Sequence, residues 1–379
     1  MNNVFSEINS RRMLALTKAA LHETDPDAHL FVNVTEKDWS DIFEKSASQG
    51  IIVWLLYGAM RLPKNLQPPL PVKLNWITRV ETVEKWYRHC LEAANELSAF
   101  FRENNIRMLL FKGVALARLY PVPSARPFGD IDIFLCGKSK EGNVLLEQLT
   151  AGKSIGKISD KHSGFHYKKI WIENHHTFLN QDGFLNAENL EKVLMTMLEE
   201  AGITGDSNSA VSLPESNALL FPPPDFDALF VTLHTIGHFK ARIVLRQLCD
   251  LTVLFTAYKG KLNFPRYNEA LSNAGLLKTA GALIALCVRH LGLKPEYAPP
   301  YTSDAVLEER IWNDILNPEI PLLAPEKRNL LNVIGYKLQL LRTRRWKSEL
   351  VFPGQYGKRI VSSIRFHLRN PKAIRKVIT

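Results

Sequence analysis

Hydrophobic residues in the first hundred positions recur in steps of three and four, which is the spacing of one face of an α-helix. The longest such pattern covers 72–104, directly after a cluster of prolines at positions 68, 69 and 71. Shorter amphipathic segments cover 36–44 and 50–61. We therefore predict a helical N-terminal region over residues 1–104.

After residue 104 the pattern changes to short apolar runs, which are typical of buried strands. The predicted strands are 107–111, 130–135 and 167–179, of which the last is the longest. Helical spacing returns between them at 114–120 and 142–149. Strands that alternate with helices predict an α/β core, which we assign to residues 105–205.

The segment 206–224 is rich in Ser, Asn and Pro, a composition typical of a linker or mobile loop. Helical spacing resumes at residue 225, with one helix predicted over 225–258 and another over 277–291. We predict a C-terminal helical domain over 225–379 that ends in a basic tail. The fold class that follows is α/β (α+β), with a small mixed β-sheet in a mostly helical chain.

Composition excludes several classes of protein. The chain of 379 residues is 46% hydrophobic and 23% charged, which excludes a disordered or disulfide-stapled chain. Its longest uncharged apolar stretch, 279–288, is too short to span a bilayer, and the first thirteen residues lack the apolar segment of a secretory signal. The four cysteines are far apart, which favours reduced thiols. We expect a cytoplasmic protein.

Positive charge is concentrated at the C-terminus. Residues 336–379 contain twelve Lys and Arg residues and a single acid, Glu349, whereas the preceding 335 residues are close to neutral. Four aromatic residues, Trp346, Phe352, Tyr356 and Phe366, are interleaved with the charges. Such a segment can bind RNA, DNA or an anionic membrane surface, or it can be the solvated face of terminal helices.

Two aspartates stand out at the second predicted strand. Because side chains alternate along a strand, Asp130 and Asp132 point to one side while Ile131 and Ile133 point to the other. Adjacent carboxylates repel each other, and a hard divalent cation such as Mg²⁺ would offset that repulsion. The alternative is an ordinary solvent-exposed strand face. A third carboxylate would complete a metal site, and Glu173, on the next predicted strand, is the candidate.

The turn at Lys112-Gly113 precedes a predicted helix. Glycine lets the backbone approach a ligand closely, and a nearby ammonium group favours a phosphate. The alternative is an ordinary turn between a strand and a helix.

Histidines form two groups in the sequence. His234 and His238 are four positions apart on one predicted helix. This spacing is compatible with two metal ligands, and the alternative is a pair of histidines bonded within a helix interface. Position 235 is Thr, so this is not the HExxH motif of a zinc protease. His162, His166, His175 and His176 surround the third predicted strand. We expect alternation to scatter this second group over both faces, which disfavours a second metal site.

These pieces resemble a known family in combination. The run from Phe111-Lys112-Gly113 through Tyr120 and Arg126 to Asp130-Ile-Asp-Ile is followed by Glu173-Asn174-His175, and then by His234, His238, Arg246 and Asp250. This pattern resembles the uncharacterised bacterial nucleotidyltransferases of the DNA polymerase beta-like superfamily. It differs in having Lys-Gly where the superfamily has Gly-Ser or Gly-Gly, and in the longer gap between that turn and Asp130.

The resemblance implies a nucleotidyltransferase core and a two-metal mechanism. It implies that Asp130, Asp132 and Glu173 are catalytic residues that bind two Mg²⁺ or Mn²⁺ ions, which orient an NTP for attack by an acceptor hydroxyl. It also implies a set of phosphate- or nucleotide-binding residues. These are Lys112, Gly113, Arg126, His175, His234, His238, Arg246 and Asp250. Within this set, Arg246 would face a phosphate and Asp250 would orient Arg246, while the loop containing Arg126 would cover the phosphates.

Three functions follow as hypotheses. The first is a metal-dependent nucleotidyltransferase that moves NMP from an NTP to a hydroxyl of a protein, RNA, sugar or small molecule. The second is a catalytically inactive nucleotide- or RNA-binding module that uses the basic segment. The third is a peripheral membrane protein. All three acidic positions are present, which favours the enzyme. The sequence identifies neither the acceptor, nor the base of the NTP, nor the oligomeric state.

Overall fold

The computed structural model describes residues 6–150, 161–204, 219–318 and 330–358, together with residues 360, 361 and 365. The predicted linker 206–224 lies mostly outside the described residues, as does the end of the basic segment. The α-helices are α1 Glu7–His22, α2 Glu36–Ser48, α3 Ile52–Met60, α4 Leu70–Glu103, α5 Gly113–Ala117, α6 Ser139–Leu149, α7 Ala187–Glu200, α8 Pro224–Phe239, α9 Leu245–Ala257, α10 Phe264–Asn273, α11 Leu277–Leu291, α12 Ala305–Leu316, α13 Leu330–Thr343 and α14 Arg345–Val351.

Four strands form a mixed sheet in the order β1-β2-β4-β3. They are β1 Leu109–Phe111, β2 Asp130–Phe134, β3 His162–Tyr167 and β4 Ile170–His175. The central pair β2 and β4 is parallel, and both outer pairs are antiparallel. The structure confirms the predicted fold class, a small mixed sheet within a mostly helical chain.

Two predicted elements differ from the structure because turns divide them. The single long strand predicted over 167–179 is wrong, since β3 and β4 form a hairpin. Its two turn residues, Lys168 and Lys169, have φ angles of 48° and 67°, as the tight turn of a hairpin requires. The single helix predicted over 225–258 is two helices, α8 and α9, separated by residues 240–244.

Each face of the sheet packs against a different hydrophobic cluster. On one face Ile131, Ile133 and Ile172 pack against α4 and α6. The other face carries Phe111 and Phe134, which pack with α8 and the N-terminal helices in the larger cluster. Asp130, Asp132, Glu173 and His175 belong to this second face by the strand register. The site therefore lies between the sheet and the helices on its second face.

The N-terminal helix is part of the main core. Met13 and Leu16 on α1 are fully buried, and α1 contacts both α3 and α11. Gly58 on α3 allows α1 and α3 to pack closely, because a Cβ atom at this position would be 2.2 Å from the carbonyl oxygen of Leu16. Helices from both ends of the chain thus share one hydrophobic cluster.

Part of the described basic segment packs inward. Lys347 is buried and its ammonium donates to Asp314 at 2.5 Å. Phe352 is fully buried, and the partly buried Trp346 packs against Phe239 with ring centroids 5.4 Å apart. The ring of Phe352 therefore stabilises the fold and is not available to stack on bases. None of the helices in the described part of the chain combines the length and apolar composition that a bilayer-spanning segment needs.

A buried carboxyl lies in the first turn of α8. Oδ2 of Asp227 accepts a hydrogen bond from the Tyr258 hydroxyl at 2.8 Å and another from Nη2 of Arg118 at 3.3 Å. Burial raises the pKa of Asp227 to about 7, and the two partners offset only part of that effect.

This pKa predicts how stability depends on pH. The folded-state pKa exceeds the ordinary value of about 3.9, so the contribution of Asp227 to stability is present below about pH 4 and is lost as pH rises through about 7. The Asp227→Asn variant does not ionise. We expect its melting temperature to exceed that of the wild type by about 2–6 °C at pH 8 and by less at pH 5. Thermal denaturation followed by circular dichroism tests this, and an equal difference at both pH values would contradict it.

Candidate active site

Three carboxylates lie on one face of the sheet. Asp132 on β2 is the register partner of Glu173 on β4, and Asp130 lies two residues before Asp132 on the same face. Asn174, between Glu173 and His175, points to the opposite face, where its amide donates to Asn143 at 2.7 Å. The strand register thus brings together the three acidic residues that the sequence identified.

Asp132 is the buried centre of this group. Its Oδ1 accepts hydrogen bonds from Nζ of Lys112 at 2.5 Å and from Nε2 of His175 at 2.8 Å. Burial alone would raise the pKa of Asp132, but the Lys112 charge and the His175 hydrogen bond together hold it well below its ordinary value. Asp132 is therefore ionised at neutral pH.

The other two carboxylates differ from each other. Burial, followed by the charges of Asp132 and Glu173, raises the pKa of Asp130 to about 6. Burial alone would raise the pKa of Glu173, but the His175 hydrogen bond and the charges of His162 and Lys112 together hold it below its ordinary value. Carboxylates that repel one another in a partly buried site favour a cation, which would lower the pKa of Asp130.

Lys112 occupies the turn between β1 and α5 in an unusual conformation. Its φ of 55° and ψ of −134° define a region that residues other than glycine rarely adopt, at a cost of about 1–3 kcal/mol. The ammonium lies 5.3 Å from the ring centroid of Phe111 and 5.9 Å from that of Phe230. At Gly113 a Cβ atom would be 3.2 Å from the carbonyl oxygen of Asp130, so this position favours glycine. The turn thus holds a positive charge against the carboxylates.

His175 faces oxygen atoms through both ring nitrogens. Nδ1 lies 3.2 Å from the carbonyl oxygen of Thr177, which only accepts, so Nδ1 carries a proton. Nε2 lies between Asp132 Oδ1 at 2.8 Å and Glu173 Oε2 at 3.4 Å. The ring is fully buried, and Phe111 packs against it with ring centroids 4.9 Å apart. His175 therefore presents Nε2 to the carboxylates in a fixed orientation.

The hairpin brings a second histidine to the same face. His162 Nε2 lies 3.4 Å from Glu173 Oε1, and His162 is the register partner of His175. The expectation that alternation separates these histidines is wrong, because it assumed one strand where the chain forms a hairpin. Of the sequence group, His176 lies apart, since its Nε2 pairs with Ser163 Oγ at 2.9 Å. Among the described residues, His162, Glu173 and His175 form a group whose potential ligand atoms all lie within 4.8 Å of one another.

Lys161 is a site residue that the sequence did not reveal. Burial, followed by the charge of Lys112, lowers its pKa to about 8, while the charges of Asp132, Glu173 and Glu191 act in the opposite direction. Its carbonyl oxygen accepts a hydrogen bond from the backbone of His176 at 2.8 Å. Lys161 lies just before β3, so only the hairpin brings its ammonium near the carboxylates. No motif in the sequence indicates this.

Helix α8 borders the site with two histidines. His234 stacks on Phe230 with ring centroids 5.9 Å apart, and His238 lies edge-on to His234 at 4.5 Å. Burial, followed by the Lys112 charge, lowers the pKa of His234 well below its ordinary value. In the described part of the chain these two residues belong to no group of three potential metal ligands. The structure therefore places them on a helix that faces the site.

Arg126 and Asp250 form a buried pair beneath the Lys112-Gly113 turn. Nε and Nη2 of Arg126 donate to the two oxygens of Asp250 at 2.6 and 2.9 Å, and Nη1 donates to the carbonyl oxygen of Gly113 at 3.1 Å. The Tyr120 hydroxyl also donates to Asp250, at 2.7 Å. These contacts tie the Lys112-Gly113 turn to α9.

The contacts of Arg126 and Arg246 bear on their predicted roles. The guanidinium of Arg126 is buried, and it donates to the carbonyl oxygen of Gly113 and so supports the turn from below. Arg246 Nη1 lies 3.7 Å from Asp250, but the shorter bonds of Asp250 go to Arg126 and Tyr120. Asp250 therefore orients Arg126 more directly than it orients Arg246.

Comparison with known families agrees with this arrangement. A family model described as an uncharacterised nucleotidyltransferase matches residues 35–292, which is more than half of the chain. The chain belongs to this family, so its general role is nucleotidyl transfer, and an NTP is the implied substrate. The match includes the whole sheet and helices α2 to α11. No curated protein and no solved structure gives a significant match.

Proposed function

We propose that the protein transfers NMP from an NTP to a hydroxyl group in a reaction that requires a divalent cation. The observation that carries this proposal is the set of three carboxylates, Asp130, Asp132 and Glu173, on adjacent parallel strands. Their oxygen atoms suit a hard divalent ion, and the burial and mutual repulsion that together raise the pKa of Asp130 to about 6 favour one. The residues therefore fit Mg²⁺ or Mn²⁺ as the predicted cofactor.

The proposed reaction assigns a role to each group. The acceptor oxygen forms a bond to the α-phosphorus, the bond to the bridging oxygen breaks, and pyrophosphate leaves. A bound divalent ion supplies charge stabilisation and lowers the pKa of the acceptor hydroxyl. Asp130, Asp132 and Glu173 hold the ions. We also assign to Glu173, whose pKa lies below its ordinary value, the role of receiving the acceptor proton.

Lys112 links cation binding to phosphate binding. Its ammonium is paired with Asp132 at 2.5 Å, so a cation at Asp132 would replace that pairing and free the ammonium for the triphosphate. Lys161 adds a second positive charge at the same face. We assign these two lysines, with the Gly113 turn, to the triphosphate, and His234, His238 and Arg246 to the walls around the nucleotide, while the buried His175 orients the carboxylates.

A calorimetric titration tests the proposal. ATP, GTP, CTP and UTP are added separately to the full chain with Mg²⁺, with Mn²⁺ and with neither ion. We expect at least one nucleotide to bind only in the presence of an ion. Incubation with the same nucleotide labelled at the α-phosphate then reports transfer to candidate acceptors. The absence of NTP binding under all three conditions would contradict the proposal.

One observation favours a second candidate, the inactive nucleotide- or RNA-binding module. Lys112 already neutralises the charge of Asp132, the most buried of the three site carboxylates, without a metal ion. In such a module NTP or RNA would bind equally well with and without a divalent ion, and RNA affinity would fall steeply with salt. The ion dependence of the titration therefore separates the two candidates.

Two substitutions at Lys112 separate its charge from its backbone strain. We expect both Lys112→Ala and Lys112→Gly to weaken NTP affinity at least roughly tenfold, because each removes the ammonium. Lys112→Gly also relieves the positive-φ strain, so it should melt at a higher temperature than Lys112→Ala. Calorimetry and thermal denaturation measure the two effects. Unchanged NTP affinity in both variants would remove Lys112 from the phosphate site.

A further inference from the structure

We propose that His162, Glu173 and His175 form a nitrogen-containing metal position at this sheet face, which binds a divalent ion of the zinc class in preference to Mg²⁺. The inference rests on the proposed function only in that the ion would share Glu173 with the transfer site. The position differs from the purely acidic Asp130–Asp132 pair, because two of its three ligand atoms are imidazole nitrogens.

The potential ligand atoms lie close enough to share one ion. His162 Nε2 lies 3.4 Å from Glu173 Oε1 and His175 Nε2 lies 3.4 Å from Glu173 Oε2, and one potential ligand atom from each of the three residues lies within 4.8 Å of the other two. Ligand atoms around a tetrahedral ion with bonds of about 2.1 Å lie roughly 3.4 Å apart, so small side-chain movements would complete a tetrahedral set. All three residues lie on the paired strands β3 and β4, so the sheet fixes their relative positions.

Second contacts orient the ligands. The carbonyl of Thr177 accepts from Nδ1 of His175, which leaves Nε2 directed at the carboxylates. Trp171 donates through Nε1 to Glu173 Oε1 at 3.3 Å. Metal-binding histidines commonly donate their other N–H to a backbone carbonyl in this way, and metal-binding carboxylates commonly accept a further hydrogen bond. An ion at this position would displace the Nε2 proton of His175, and that proton would be released to solvent.

The chemistry of the ligands selects the class of ion. Mg²⁺ prefers an octahedron of oxygen atoms, whereas two imidazoles and a carboxylate suit Zn²⁺ or Co²⁺. Zinc sites with three protein ligands keep a fourth position for water or substrate. A phosphate oxygen of the nucleotide or the acceptor hydroxyl could occupy that fourth position.

Cobalt serves as the spectroscopic probe. Co²⁺ is added to the metal-free full chain, and visible absorption reports the coordination geometry. We expect the intense absorption of a tetrahedral site at one ion per chain, which Zn²⁺ abolishes and a large excess of Mg²⁺ leaves unchanged. His162→Ala, or His162→Gln if the alanine variant melts earlier, should weaken Zn²⁺ affinity at least roughly 100-fold.

His166→Ala is the matched control. His166 lies on the same strand and the same face, but it is exposed and packs on Trp171 with ring centroids 4.8 Å apart. This variant should keep the cobalt spectrum of the wild type. Displacement of Co²⁺ by Mg²⁺, or an unchanged spectrum in the His162 variants, would overturn the inference.

The outcomes separate this inference from the proposed function. If NTP binding and transfer proceed with Mg²⁺ but no tetrahedral cobalt spectrum forms, the nitrogen-containing position is wrong and the proposed function stands. If the tetrahedral cobalt site forms but no NTP binds, the metal position stands and the proposed function is wrong.

Discussion

The Asp132→Asn variant is expected to lose at least about 99% of nucleotidyl transfer. Charge-stabilising groups aimed at a reacting centre commonly contribute a factor of 10²–10³ to the rate, and Asp132 is the most buried of the three carboxylates. Asparagine keeps the size of the side chain but removes its charge. Both the divalent cation and Lys112 would lose their shared partner.

The measurement is the rate of transfer from an α-labelled NTP at saturating Mg²⁺ or Mn²⁺. Asp25→Asn is the control, because it makes the same chemical change on a carboxylate whose side chain is 83% exposed. We expect the control to match the wild type. Thermal denaturation establishes that both variants are folded. Wild-type activity in folded Asp132→Asn would show that the transfer chemistry does not depend on this carboxylate.

Arg126→Ala is expected to lower the free energy of unfolding by about 3–5 kcal/mol, the usual cost of removing one partner from a buried ion pair. Both side chains of the Arg126–Asp250 pair are 4% exposed. Burial alone would raise the pKa of Asp250, but Arg126 holds it below its ordinary value. Without the guanidinium, a buried carboxylate and the carbonyl of Gly113 would lose their donors.

Urea denaturation measures this effect, and Arg11→Ala is the comparison. Arg11 also pairs with an acid at 2.6 Å, but the two side chains are 66% and 82% exposed, so its loss should cost less than about 1 kcal/mol. Arg126→Lys keeps the positive charge but lacks the planar guanidinium group. Its loss of unfolding free energy should therefore lie between those of Arg126→Ala and Arg11→Ala. Equal destabilisation by Arg126→Ala and Arg11→Ala would contradict the prediction that losing one partner costs more in a buried ion pair than in an exposed one.

The chemistry of single strands could be predicted from the sequence, because alternation is a local property. The run Asp130-Ile131-Asp132-Ile133 is sufficient to place two carboxylates on one face and two apolar side chains on the other. Glu173 was predicted as the third carboxylate because it lies on the next predicted strand and could complete a metal site. Its position beside Asp132 required the parallel pairing of β2 with β4, which the structure supplies.

The hairpin could not be predicted in the same way. Its turn is formed by Lys168-Lys169, whereas the sequence signals for such turns are Asn-Gly and Asp-Gly. The positive φ angles of these lysines depend on the surrounding sheet. The hairpin brings His162 and Lys161 close to Glu173. Because the hairpin was not predicted, neither residue was assigned to the site.

Contacts between residues that are far apart in the sequence could not be predicted either. Arg126 and Asp250 are 124 positions apart, and no periodic pattern joins them. The resemblance named both residues but gave them roles around the nucleotide. The hydrogen bonds show that both residues support the turn, because the guanidinium of Arg126 contacts Asp250 on one side and Gly113 on the other.

The close crossing of α1 and α3 has a practical consequence for work on this family. The family match begins at residue 35, so trimming the protein to the matched residues would remove α1. Met13 and Leu16 would no longer cover α3 and α11, and the bare backbone at Gly58 would face water. The family match, residues 35–292, therefore leaves out part of the main hydrophobic cluster. A recombinant fragment limited to it should aggregate, since it would expose a hydrophobic surface that the whole chain buries.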